Sequence, residues 1–177
     1  MRSTQALILL FLMLFVAVLM NTPIGYVNGA GGSVAPAATL CENTEKVVFS
    51  CQLKSGKVVS LCGSSKFTKS DGYLQYRFGL PGKLELEYPQ QRSDSQKSFH
   101  YRHYFRAQID LTEISFSANG YTYTVFSNYN DEGTPAISDQ GVKVTPASKK
   151  EVSYGCRSKA NADFGDLSDV FENESSQ

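Results

Sequence analysis

The residues able to do chemistry are few, and their spacing suits little of it. The chain has two histidines, His100 and His103. Three residues apart on a strand, they point to opposite faces and cannot clamp one metal ion, as a pair spaced by four on a helix can. Glu85 and Glu87 share one face of a short alternating run, about 7 Å apart by the strand rise. Two carboxylates at that distance suit glycoside hydrolysis, although Lys-Glu-Glu alternation on a wet strand is more often protection of a sheet edge. Asn128, Asn130, Asp131 and Glu132 bring oxygens together without the spacing or the glycine of an EF-hand, so a polar loop is the simpler reading. No Gly-x-Ser-x-Gly, His-Glu-x-x-His, Cys-x-x-Cys or phosphate-cradling glycine loop occurs. The expectation is no catalytic residue, no metal and no cofactor.

One row of side chains points instead to binding. His100, Arg102, Tyr104 and Arg106 alternate along a single strand face. Tyrosine and arginine are the residues that interfaces concentrate, because they join contact area to directional hydrogen bonds. This face is the candidate docking surface for an acidic or carbohydrate partner. The competing expectation is that these residues pair across strands with Asp or Glu.

The elements that position this row are strands. Lys46 to Cys62 (KVVFSCQLKSGKVVSLC) is two β-rich runs around Lys-Ser-Gly-Lys, a hairpin. Tyr73 to Phe78 and Lys83 to Tyr88 alternate about a Gly-Leu-Pro-Gly turn. Leu74, Tyr76, Phe78, Leu84, Leu86 and Tyr88 are expected inward, with Gln75, Arg77, Glu85 and Glu87 outward. Phe99 to Leu111 alternates throughout, placing Phe99, Tyr101, His103, Phe105, Ala107 and Ile109 on one side. Asn119-Gly120 is a type I′ signature that opposes Phe116 to Tyr123 and Ile114 to Val125. Asn130 to Gln140 reads as a polar loop, and Gly141–Pro146 and Glu151–Cys156 as two last strands. Asp163 to Phe171 carries Phe164, Leu167 and Phe171 on a stripe that fits a short helix. About eight strands at this spacing predict an all-β fold, an antiparallel sandwich or small barrel stapled by disulfides.

Four cysteines are present. Ala6 to Met20 is fifteen residues without a charge, preceded by Arg2 and followed by the small residues Gly29 and Ala30. That is the pattern of a secretory signal peptide over residues 1–29, and it is short for a spanning helix. A flexible lead-in over 30–40, a β-domain over 41–156 and a tail over 157–177 follow. Export places the cysteines where disulfides persist. Four cysteines allow three pairings. If Ser55-Gly56 form the hairpin loop, Cys51 is diagonal to Cys62; if Gly56-Lys57 form it, the two are directly opposed. The hairpin thus favours Cys51–Cys62, leaving Cys41 and Cys156 to join the ends of the domain. Asn173-Glu-Ser175 fits a glycosylation sequon in the tail.

Seventeen basic and seventeen acidic residues leave no net charge, so nothing steers the chain to nucleic acid. Membrane contact is expected only through the signal peptide before cleavage. The segments KVVFSCQLKSGKVVSLC, YLQYRFGLPGKLELEYP and FSANGYTYTVF resemble a group of uncharacterised small exported bacterial proteins over most of residues 41–156. Size, compartment, disulfides and β-pattern are also similar to the periplasmic lysozyme inhibitors, whose c-type class carries a Ser-Gly-x-x-Tyr loop. The nearest match, Ser117-Ala118-Asn119-Gly120-Tyr121, breaks the Ser-Gly step, so no inhibitory residue is carried over. These observations imply an exported, non-catalytic binding protein, periplasmic or secreted, whose partner is a protein or glycan of the cell envelope. An inhibitor of a cell-wall hydrolase is one form of it. A glycan hydrolase using paired carboxylates and an envelope structural or adhesion component are the alternatives.

Overall fold

The structure, a computed structural model, describes residues 38–165 and 167–174. The expected signal peptide, and the lead-in as far as residue 37, lie outside the described residues. The strands are β1 (Lys46–Gln52), β2 (Val58–Gly63), β3 (Leu74–Leu80), β4 (Lys83–Tyr88), β5 (His100–Arg106), β6 (Ile109–Ala118), β7 (Tyr121–Asn130), β8 (Ile137–Pro146), β9 (Val152–Gly155) and β10 (Asn161–Ala162). One helical turn, α1 (Leu167–Val170), follows. They form two antiparallel sheets, ordered β10-β1-β2-β3-β4 and β5-β6-β7-β8-β9. The all-β expectation is thus met by a sandwich, with ten strands rather than eight.

The β6–β7 hairpin forms where its turn demands. Asn119 and Gly120 both take positive φ, at 53° and 78°, the conformation a type I′ turn needs. Phe116 then opposes Tyr123, and Ile114 opposes Val125. An aromatic cluster joins the two sheets. Phe116 stacks on Tyr88 and on Tyr123, with centroids 4.4 and 5.0 Å away, and meets Tyr76 at 4.9 Å. Stacked and tilted pairs of this kind add roughly 0.5–1.5 kcal/mol each beyond the apolar area they bury.

Three departures from the expected elements have identifiable causes. Phe99 to Leu111 is not one strand, because Ala107 and Gln108 form a two-residue turn in which Gln108 adopts φ 68°. Ile109 consequently opposes Arg106 instead of sharing a face with Phe105. The polar segment 137–140 extends β8, pairing Ile137 with Asn130 and Gln140 with Ser127. The packed domain also runs past residue 156. Asn161–Ala162 adds a strand beside β1, Phe164 stacks on Phe49, and Leu167 and Val170 are buried.

The disulfides are Cys41–Cys62 and Cys51–Cys156, which corrects the favoured Cys51–Cys62 pairing. The hairpin loop holds three residues, Lys54 to Gly56, closed by hydrogen bonds from the Leu53 N–H to the Lys57 carbonyl and from the Gly56 N–H to the Leu53 carbonyl. Cys51 therefore opposes Val59. A bulge between Val47 and Phe49 leaves Cys62 opposite Val47. The two sulfurs are thrown onto opposite faces of the sheet. Cys51 lies inward and ties β1 to the chain leaving β9, while Cys62 lies outward and captures Cys41.

That outward disulfide fixes a strap. Residues 38–42, expected in part as flexible lead-in, cross the outer face of the first sheet. The Leu40 N–H donates to Ser60 Oγ, and Ser50 Oγ donates to the Ala38 carbonyl. Ser50 and Ser60 are completely buried beneath it. Gln75 and Arg77, expected outward in solvent, are likewise buried on this face.

Gly79 breaks the β3–β4 register, at φ 148°. A methyl group there would meet the Lys83 carbonyl oxygen at 2.4 Å and the Glu85 nitrogen at 2.9 Å. The irregularity leaves Leu84 half exposed while Leu86 packs on the core. We expect Gly79→Ala to destabilise by about 1–3 kcal/mol, the range for forced backbone conformations. Urea unfolding of the two proteins checks it, and an unchanged midpoint would contradict this role for the glycine.

Candidate functional site

The row singled out from sequence lies together on the outer side of β5, an edge strand of the second sheet. His100 and the two arginines each have an acidic neighbour. His100 Nδ1 is 2.7 Å from Glu174, Arg102 is 3.3 Å from Glu113, and Arg106 is 2.6 Å from Glu132. The competing expectation of cross-strand pairing is therefore realised for Arg102, which sits directly opposite Glu113 in the β5–β6 register. The hydrogen bond between Arg106 and Glu132 raises the guanidinium pKa and lowers that of the carboxyl.

Register brings further residues to this face. β6 contributes Leu111 and Glu113, β7 contributes Asn128, and β8 contributes Lys143. With Arg102 and Tyr104 they line a hollow of about 210 Å³. Lys143 Nζ reaches Glu113 at 2.8 Å and lies over the buried Phe126 ring. Two cations thus share one carboxylate inside the hollow, with an amide and a half-exposed tyrosine beside them. Lys143 and Asn128 carried no sequence signal for this, because only the pairing of four strands places them near Arg102.

The other candidates scatter. His103 faces away from His100, as strand alternation requires, and approaches Asp110 at 3.0 Å. Glu85 is held by Lys57 at 2.7 Å, and Glu87 by Arg77 at 3.1 Å. Each carboxylate already faces its own cation. In the 128–132 segment, Asn130 accepts the Glu132 backbone N–H and Glu132 turns to Arg106, so the oxygens do not converge. Among the described residues one trio, Cys41, Glu45 and Cys62, brings metal-type ligand atoms within 4.8 Å of one another. Its sulfurs are bonded to each other and are not thiolates.

A buried ionic cluster was not foreseen. Arg77 donates two hydrogen bonds to Glu45, at 2.6 and 2.9 Å, and others to Gln75, Glu87 and the Leu40 carbonyl. Both charged side chains of the pair are at most 3 % exposed. Burial alone would raise the Glu45 pKa, but hydrogen bonds from Arg77, the Glu42 backbone and Tyr73, with the Arg77 charge, hold it below the usual carboxylate range. Arg92 extends the cluster outward, bonding Glu42 and lying over the Tyr73 ring. The strap described above seals it. This arrangement binds chain to chain and presents no free reactive group.

Between the two sheets, a cleft of about 350 Å³ is lined by Leu53, Phe78, Val142 and Val144, with Tyr76, Tyr123 and Tyr154. Lys57 and Ser55 stand at its lip in the β1–β2 hairpin. None of the three tyrosine hydroxyls bonds to another described residue, and Tyr76 is 2 % exposed.

The fold and its cross-links define a disulfide-stapled antiparallel β-sandwich, of a kind suited to an oxidising compartment. No family model matches the chain, and no match was found among the curated proteins or the solved structures. The resemblances carried by residues 41–156 therefore gain no support from these comparisons.

Proposed function

We propose that this chain is an exported, non-catalytic binding protein that engages a protein partner of the cell envelope through the outer face of β5–β8. The partner is a cell-wall hydrolase of the lysozyme kind. The observation that carries this reading is the hollow on that face, where Arg102 and Lys143 share Glu113 beside Tyr104 and Asn128. A cationic and aromatic surface of this kind complements a cleft that works with carboxylates, as glycosidase clefts do. Two disulfides and the charge-free run after Arg2 support export to an oxidising compartment.

The test measures clearing of a cell-wall suspension by c-, g- and i-type lysozymes with the oxidised full-length chain added. We expect inhibition of at least one class. In the double variant Arg102→Ala/Tyr104→Ala it should weaken at least about tenfold, the loss of roughly 1.4 kcal/mol that a modest interface anchor supplies. Unfolding curves of the variant confirm that the sandwich persists. Absence of inhibition and of binding by all three classes, or undiminished inhibition by the folded variant, would overturn the proposal.

A further inference from the structure

The cleft between the sheets is independent of the hollow, since no residue lines both. Alternation along β8 serves each of them: Lys143 points outward, while Val142 and Val144 point in. At about 350 Å³ the cleft is within the size range of small-molecule sites. Its volume corresponds to roughly a dozen non-hydrogen atoms, taking about 30 Å³ for each water-sized group.

Its chemistry is selective. The walls are aliphatic and aromatic, and the charged group at the lip is already neutralised. Lys57 Nζ lies 2.7 Å from Glu85 and over the Phe78 ring. An anion entering the cleft would have to displace Glu85 or lose its hydration without compensation. Inside, Tyr76 is 2 % exposed, and its hydroxyl makes no hydrogen bond to the described residues. Burial, with Tyr123 beside it, raises its pKa above the ordinary tyrosine range, so the phenol keeps its proton and donates. The hydroxyl is not sealed off, since Gln96 Oε1 is the one enclosed side-chain polar atom without a partner among the described residues, and the open space that Tyr76 lines is the cleft.

We propose that this cleft is a binding site for a small, uncharged, mostly apolar molecule whose single carbonyl or hydroxyl oxygen accepts a hydrogen bond from Tyr76. The apolar part of the ligand lies against Leu53, Phe78, Val142 and Val144. Tyr123 from β7 and Tyr154 from β9, the edge strand of the second sheet, flank β8 on either side of it.

The test is a titration of the oxidised full-length protein with 2-decanone and, separately, with decanoate, followed through the Val142 and Val144 methyl NMR signals. These methyls report the cleft itself and not apolar binding elsewhere on the chain. Saturable shifts with 2-decanone are expected, with affinity at least about tenfold above that for decanoate. Tyr76→Phe should weaken the ketone roughly three- to tenfold, the range of one net hydrogen bond. Val144→Trp, which fills the cleft, should abolish binding. No saturable shift at the two valines up to the ketone's solubility limit would overturn the site. Equal affinity for decanoate would overturn the uncharged ligand class, and this comparison on the unaltered protein needs no variant to fold. Unchanged ketone affinity in folded Tyr76→Phe would overturn the role of the hydroxyl.

Discussion

Replacing Cys51 and Cys156 together by alanine is expected to lower the unfolding free energy by about 4.7 kcal/mol, the chain-entropy value for a loop of some 100 residues. The two cysteines are 105 residues apart in sequence, so their bond removes more freedom from the unfolded chain than any local link. The matching change at Cys41 and Cys62, whose separation is 21, is expected to cost less, about 3.3 kcal/mol by the same relation. Urea unfolding distinguishes the cases. The longer cross-link should also change the slope m more, because its removal lets the denatured chain expose more surface. Equal losses from the two pairs would mean that native packing around each bond, and not loop closure, sets their contribution. Structure adds a reason to expect the larger effect at Cys51. It lies in the core, 3 % exposed, where its bond ties β1 to the chain leaving β9 and so links the two sheets.

Arg77→Leu is the second large expectation. It would leave the Glu45 carboxylate buried under the strap without its bidentate partner. Breaking a buried ion pair from one side costs about 3–5 kcal/mol, because the remaining charge loses its compensation. The double variant Arg77→Leu/Glu45→Leu should recover much of that loss, since the charge left behind on Glu87 is partly exposed to water and no fully buried one remains. The pair also has a pH signature. The Glu45 carboxyl is held below its ordinary range in the folded chain, so the unfolded chain takes up the proton first as pH falls. The stabilisation from this group is complete above the ordinary carboxylate range and is lost as pH drops through the lowered folded value. Unfolding free energies measured from neutral pH downward should fall in the wild type, and the double variant should lack the Glu45 share of that slope. A double variant as unstable as Arg77→Leu alone would show that the cost lies in lost packing of the guanidinium stem.

These two expectations mark where the sequence was legible and where it was not. Asn119-Gly120 dictated its hairpin because both residues readily take the positive φ that a type I′ turn requires, and the alternation on either side agreed with it. Fold class followed from many such local agreements. The disulfide pairing did not, because it depended on whether the β1–β2 loop has two residues or three. A single residue of register moves a cysteine through the sheet. The turn at Ala107–Gln108 was hidden for a related reason: it uses a glutamine at positive φ where glycine or asparagine would have given it away. Arg77 looked like a solvated outward charge on a one-sided strand. Nothing in strand periodicity reports that a segment 37 residues earlier, at Leu40, crosses that face and accepts its hydrogen bond.

The binding row was half legible. His100, Arg102, Tyr104 and Arg106 do share a face, since strand alternation guarantees it. Their electrostatic neighbours come from β6, from the loop after β7 and from the C-terminal segment, which no local pattern joins to β5. The hollow exists because Lys143 and Asn128 arrive from two further strands. The cleft was invisible for the same reason: Tyr76, Tyr123 and Tyr154 belong to three strands of two sheets, and each reads alone as an ordinary core or edge aromatic.

The interleaved order of the cross-links, first cysteine with third and second with fourth, bears on how the molecule is made. A chain emerging N-terminus first presents Cys41, Cys51 and Cys62 to an oxidant while Cys156 is still unsynthesised or untranslocated. At about 5–20 residues per second, those three thiols wait several seconds before Cys51 can meet its native partner. Sequence neighbours then collide first, and a bond between Cys51 and either Cys41 or Cys62 must later be reopened by thiolate attack. If the chain is oxidised as it emerges, reaching the interleaved native pairing from such a bond takes thiol–disulfide exchange as well as an oxidant.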